Sequence, residues 1–222
     1  MPEMAVKCIA SWRKHMPDYE YKLWNEDVFD VDAVPYVKEA YESRKYAFVT
    51  DYVRLFALFT EGGIYMDTDV EILKPLDDLL SLTAFTGYEG SKTLPPVTGI
   101  MASEVGGEWV REQLDSYAGA HFVKEDGALD LTTNTIRISN IMKANGFVQN
   151  GRYQVYKGLS VFPVDFFCPR QTTGEFILTE NTYCDHHFMG TWNDNKSSGG
   201  INRLLGTRIV VRLIKLKRKL FG

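Results

Sequence analysis

Apolar positions recur at helical spacing early in the chain. Met4, Cys8, Ile9 and Trp12 fall near one face, with Lys7, Arg13 and Lys14 elsewhere. With Pro2 suited to a first turn, this predicts a helix from Pro2 to His15, broken by Pro17-Asp18. Tyr21 to Trp24 reads as a short strand that Asn25-Glu26-Asp27 ends. A second helix is predicted from Ala33 to Glu42 and a third from Ser43 to Glu61. The third carries Phe48, Val49, Tyr52, Val53, Leu55, Phe56, Leu58 and Phe59 on most of its sides, the pattern of a buried helix. Asp51 and Arg54 interrupt it and, three residues apart, share a face. Such a pair either satisfies itself as an intrahelical ion pair or projects into a polar cleft.

Gly62-Gly63 stops this helix, and Ile64 to Val70 reads as a short buried strand holding Asp67 and Asp69 at its carboxyl end. In open α/β sheets that end is where ligands bind. Residues i and i+2 of extended chain point to one face, so the two carboxylates are expected to converge. Converging carboxylates call for a cation, and hard oxygen ligands suit Mg²⁺ or Mn²⁺. An Asp-x-Asp triplet alone mostly marks a solvated turn. Here Tyr65, Met66 and Val70 frame it with apolar side chains.

Downstream, Val70 to Leu76 continues extended and Asp77 to Leu80 makes a helical turn. Strands are predicted at Ala84–Tyr88, Val97–Ala102, Gln154–Tyr156 and Ser160–Phe162, and helices at Gly106–Tyr117 and Thr132–Asn145. Thr172 to Glu180 reads as a loop and strand. In Asp185-His186-His187, neighbouring histidines on a strand face opposite ways, so at most one faces a given site. A neutral imidazole there could complete a metal site begun by two carboxylates. The indole of Trp192 suits closing over a ligand. Residues 201–222 interleave Arg and Lys with Leu, Ile and Val and contain no acidic residue. They read as a basic amphipathic helix, lying on an anionic membrane surface or docked in an acidic groove of its own domain.

Composition narrows the picture. The chain has 222 residues, 45% hydrophobic and 24% charged, which suits one folded domain over 1–200 followed by the basic tail. A net charge of −4 argues against nucleic-acid binding. Cys8, Cys168 and Cys184 show no CxxC spacing, as expected of a reduced, cytoplasmic protein, peripheral on the inner face of the cell membrane if the tail binds lipid.

The stretch Lys45-Tyr46-Ala47-Phe48-Val49-Thr50-Asp51-Tyr52-Val53-Arg54, followed by Gly62-Gly63-Ile64-Tyr65-Met66-Asp67-Thr68-Asp69-Val70, resembles the DXD-containing sugar transferases of glycosyltransferase family 32, especially bacterial capsular-polysaccharide members. Cys8 to Trp12 and Trp24 to Asp27 also look like that family. The resemblance implies a GT-A fold, a Rossmann-like α/β/α sandwich, and a nucleotide-sugar donor, most often UDP-linked, bound with Mn²⁺ or Mg²⁺. It implies a surface or capsular polysaccharide or a glycolipid as acceptor, with retained anomeric configuration. By that resemblance Asp67, Asp69 and His187 hold the metal, Asp51 and Arg54 hold the donor sugar, and Tyr65, Asn134 and Trp192 contact the donor. Family members usually begin with a central strand of the type Ile-Pro-Lys-Ile-Ile-His. This chain starts at what looks like the loop after it, so a sheet short of one central strand is expected. The competing expectations are a donor-binding or partner-binding protein without turnover, and a metal-dependent phosphohydrolase.

Overall fold

The computed structural model describes residues 1–90, 95–97, 99–170 and 175–189, and the backbone of 210–215. Helix α1 (Glu3–His15) leads into β1 (Tyr19–Trp24), then α2 (Pro35–Glu42), α3 (Tyr46–Glu61), β2 (Gly63–Met66) and β3 (Val70–Ile72). Strands β4 (Ala84–Gly87) and β5 (Ile100–Ser103) follow, then α4 (Glu108–Asp115) and α5 (Asn134–Ala144). The remaining elements are β6 (Gln154–Tyr156), β7 (Leu159–Phe162), α6 (Val164–Phe167), β8 (Cys184–His186) and β9 (Val210–Lys215). Seven strands form one mixed sheet in the order β1-β9-β2-β5-β4-β7-β6, while β3 and β8 pair as a separate ribbon. Among the described strands, only β4 and β7 run parallel as neighbours.

The alternation of side chains along β2 and β5 explains the layering. Ile64 and Met66 of β2, with Ile100 and Ala102 of β5, pack with Trp12, Met16, Val70 and Ile72 on one side. Tyr65 and Met101 point the other way, into the core shared by α2, α3, α4 and α5. A sheet apolar on both faces requires cover on both, and the result is a single-domain α/β/α sandwich consistent with a GT-A-like fold. No described helix is long and apolar enough to cross a membrane.

Two local devices fix the strand that leads to the site. At the end of α3, Gly62 takes φ +65 and its N–H donates to Leu58 O at 2.9 Å. A Cβ at this glycine would sit 2.9 Å from Val105 N and 3.0 Å from Ser103 O, so the backbones meet there too closely for any side chain. On the opposite face α1 grips β3: Trp12 Nε1 donates to Val70 O at 2.6 Å, and Ser11 Oγ accepts the Ile72 N–H at 2.9 Å. Trp12 is fully buried, which adds about 1.5–3 kcal/mol of burial free energy to that grip.

Three expectations change. The single strand expected over Ile64–Val70 is broken by a turn, in which the Val70 N–H donates to Asp67 O at 3.0 Å. Within Thr172–Glu180 the described residues hold no strand, only an isolated bridge from Phe176 to Arg170. In the basic tail, expected to be helical, Val210–Lys215 is β9, antiparallel to both β1 and β2. Val210, Val211 and Ile214 are β-branched, which favours strands, and β1 and β2 offer backbone groups that would otherwise lack partners. This segment lies between β1 and β2 in the sheet.

Candidate functional site

The site is assembled around the turn that follows β2. The Asp67 N–H donates to Gly99 O at 2.7 Å, fixing the turn against β5. Asp67 and Asp69 thus converge through a turn rather than by alternation along a strand. On the other side β8 pairs with β3 so that Val70 lies opposite His186. Beyond β8 the chain folds back over Asp69: the His187 N–H donates to Asp69 O at 3.0 Å and the Met189 N–H to Asp69 Oδ2 at 2.9 Å. Phe188, between them, adopts φ +50, a strained conformation for a bulky residue, and its ring stacks 4.2 Å from that of His186.

This arrangement brings one ligand atom each from Asp67, Asp69 and His186 within 4.8 Å of one another. His186 Nε2 lies 3.5 Å from Asp69 Oδ1. His187, named from the sequence as the metal-binding histidine, faces elsewhere. Its Nε2 sits 2.9 Å from Glu71 Oε2, which also takes Lys7 Nζ at 2.8 Å. The two rings point apart because they are successive residues at the end of a strand. The imidazole beside the carboxylates is therefore that of His186.

Helix α3 supplies the second half of the site. Arg54 Nη2 lies 3.1 Å from Asp51 Oδ1, and its Nη1 lies 3.5 Å from Asp67 Oδ1. Its guanidinium stacks 4.5 Å over the ring of Tyr65, whose hydroxyl donates to Asp67 Oδ1. Asp51 Oδ2 accepts the Asn134 N–H, the first of α5, at 3.1 Å. The α3 pair is thus an intrahelical ion pair and a wall of the DXD site at once. Asn134 is buried, and its Oδ1 has no hydrogen-bond partner. Asp51, Arg54, Tyr65, Asp67, Asp69 and Asn134 form one connected group; Trp192 lies outside the described residues.

The charges are strongly coupled to burial. Burial pushes the Asp51 carboxyl up to about 6, against the opposing pull of Arg54 and the Asn134 N–H. Burial also opposes charge on Asp69, but His186 and the Met189 N–H outweigh it and hold that carboxyl below its usual range. For His186, burial disfavours the imidazolium, yet Asp69, Cys168 and Glu89 together carry its pKa well above the ordinary value. The groups that keep a proton on His186 are those a cation would use, so cation binding would displace that proton.

Two carboxylates and one imidazole suit a divalent cation such as Mn²⁺ or Mg²⁺. Gly99 leaves the space such an ion would need. A Cβ there would meet Val70 Cγ2 at 2.8 Å, and Asp67 Oδ2 and His186 Cε1 each at 3.1 Å. Gly99→Ala is expected to spread the cradle and weaken Mn²⁺ binding roughly tenfold, the scale of disturbing a metal ligand's support. Isothermal titration with Mn²⁺ measures this; unchanged affinity would show that the space is not needed. In the sequence Gly99 falls inside the strand predicted over 97–102 with no role of its own; the strand begins at Ile100, and Gly99 precedes it.

Residues 2–86 match the family described as the glycosyltransferase sugar-binding region containing a DXD motif. The chain is 40% identical over 89 residues to inositol phosphoceramide mannosyltransferase 3 of Schizosaccharomyces pombe, covering 38% of this chain and 25% of that protein. It is 36% identical over 73 residues to a mannosyl phosphorylinositol ceramide synthase of Saccharomyces cerevisiae, covering 31% of this chain and 19% of that one. An initiation-specific alpha-1,6-mannosyltransferase of Candida albicans is 31% identical over 87 residues, covering 36% and 23%. The chain thus spans about a quarter or less of the curated relatives it matches. No solved structure matches it significantly. Over residues 2–86 the chain is thus similar to the DXD-containing glycosyltransferase sugar-binding region, and the relatives named here are fungal mannosyltransferases rather than bacterial capsular enzymes.

Proposed function

We propose that this protein transfers a sugar from a nucleotide-sugar donor to a glycan or glycolipid acceptor, with Mn²⁺ or Mg²⁺ at Asp67, Asp69 and His186. The observation that carries the reading is the convergence of these three side chains beside Arg54, two of them inside the matched DXD region. A divalent cation held there would neutralise the charge that a nucleoside diphosphate gains as it leaves the sugar. Arg54 keeps Asp67 in place and, with Asp51, presents a fixed polar wall against which the donor sugar is oriented. Asn134 Oδ1, buried and unpartnered, is an acceptor suited to a donor hydroxyl.

The finer points belong to the same proposal. The resemblance favours a UDP-linked donor, retention of configuration and a capsular or surface glycan, with Trp192 closing over the diphosphate. The relatives' names instead favour mannose as the sugar and a phosphoinositol-bearing ceramide as the acceptor type. A cytoplasmic location against an anionic membrane is also proposed, with the contact made by basic residues of 201–222 outside β9. The deciding experiment is a screen of UDP- and GDP-sugars by nucleotide release, with Mn²⁺ and with chelator. The proposal expects release and sugar transfer with one donor that chelator abolishes; no transfer from any donor would overturn it.

A further inference from the structure

We propose that Glu89, Cys168 and His186 form a second, softer cation site, suited to Zn²⁺, that shares the His186 ring with the DXD carboxylates. Three separate pieces of chain meet there. Glu89 follows β4, Cys168 follows α6, and His186 ends β8. One ligand atom from each lies within 4.8 Å of the other two. The observation pointing to a ligand is the ring itself. His186 is 8% exposed, and its Nδ1 is buried without a hydrogen-bond partner. The nearest carboxylate oxygen, Glu89 Oε2, stands 3.6 Å away, too far for a hydrogen bond. Nδ1 thus meets Glu89 only across an ion pair without a hydrogen bond, a long contact that a cation between the two would replace with direct ligation.

The donor set decides the metal. A carboxylate alone would serve to orient the histidine; the thiol of Cys168 adds a soft ligand that such a role does not require. Sulfur, nitrogen and oxygen together favour Zn²⁺ over Mg²⁺ or Mn²⁺. Three protein ligands leave one position for water, as in open zinc sites. The Glu89 side chain, 21% exposed, gives the cation a way in from solvent.

Sharing the ring makes the two sites antagonistic, a consequence that rests on the DXD cation proposed above. A neutral imidazole has one lone pair. With Zn²⁺ on Nδ1, the proton moves to Nε2, which faces Asp69, and the DXD cation loses its nitrogen ligand. Zn²⁺ would then weaken Mn²⁺ binding without touching either aspartate.

The test uses the full chain with the metals alone. Zn²⁺ affinity is measured against a chromophoric chelator, and Co²⁺ reports thiolate ligation through its sulfur charge-transfer absorption. Expected are one tight Zn²⁺ per chain, a charge-transfer band, and a Mn²⁺ affinity that falls as Zn²⁺ is added. Cys168→Ser should abolish the band and weaken Zn²⁺ by about tenfold or more, and Glu89→Gln should weaken it while keeping the band. Asp67→Asn should lose Mn²⁺ and keep Zn²⁺. If Cys168→Ser does not fold, the wild-type band and Glu89→Gln decide alone. Absence of the band, wild-type Zn²⁺ affinity in Cys168→Ser or in Glu89→Gln, or loss of Zn²⁺ in Asp67→Asn would each overturn the site. A chain that transfers no sugar yet shows this pattern sinks only the transferase reading.

Discussion

Asp69→Asn is expected to lower sugar transfer at least a hundredfold while the protein stays folded. The amide keeps an oxygen that can accept the Met189 N–H, and the backbone carbonyl still accepts the His187 N–H, so the chain over the site retains its path. What disappears is one of two negative charges and an oxygen ligand in a set of three. On the proposed mechanism, loss of the cation would remove several kcal/mol of leaving-group stabilisation, and each 1.4 kcal/mol is a factor of ten in rate. Initial rates with saturating donor, beside a Mn²⁺ titration of the same preparation, measure both effects. Near-normal transfer by the purified variant would remove Asp69 from the metal role.

The largest stability effect belongs to Arg54→Ala. Arg54 is a nearly buried cation between two carboxylates, 3.1 Å from Asp51 and 3.5 Å from Asp67. Truncation leaves both without it, and breaking a buried pair in this way costs about 3–5 kcal/mol. For a chain of this size that is a fall in Tm of roughly 10 °C. Two further readouts separate this cause from lost packing. Mn²⁺ should restore more Tm to the variant than it adds to the wild type, because the metal supplies positive charge beside Asp67. The deficit should also shrink in acid. Burial already lifts Asp51 from 3.8 to about 6, so the folded state binds protons more readily than the unfolded one. Stability from this group therefore falls as pH rises through 4 to 6, and the fall continues to higher pH once Arg54, which lowers the Asp51 pKa, is gone. A deficit independent of pH and of Mn²⁺ would assign the effect to packing alone.

Much of the site was legible in the sequence because its signals are local. A helix apolar on nearly every side, two polar residues three apart within it, and a double glycine before Asp67 are all contained between Tyr46 and Asp69. The choice between His186 and His187 was not local. It depends on which residue of β8 lies opposite Val70, a register set by pairing with β3 more than a hundred residues earlier. Glu89 comes from a loop and Gly99 from the residue just before β5, and only the fold brings them to the ring of His186. The tail misled for another reason. Its alternating Val, Arg, Leu, Ile and Lys is compatible with a helix or a strand, and the neighbouring strands made the difference.

The position of β9 has a kinetic consequence. Tyr19 pairs with Lys215 and Ile64 with Leu213, so the strand that leads to Asp67, flanked on one side by β5, gains its second neighbour only from residues made long after it. On the ribosome, β1 and β2 emerge early and must wait with bare hydrogen-bonding edges for the chain to return. Such contacts of high sequence separation form slowly, and unpaired edges invite aggregation in the interval. Nascent chains stalled before Val210 should therefore be the ones that chaperones hold.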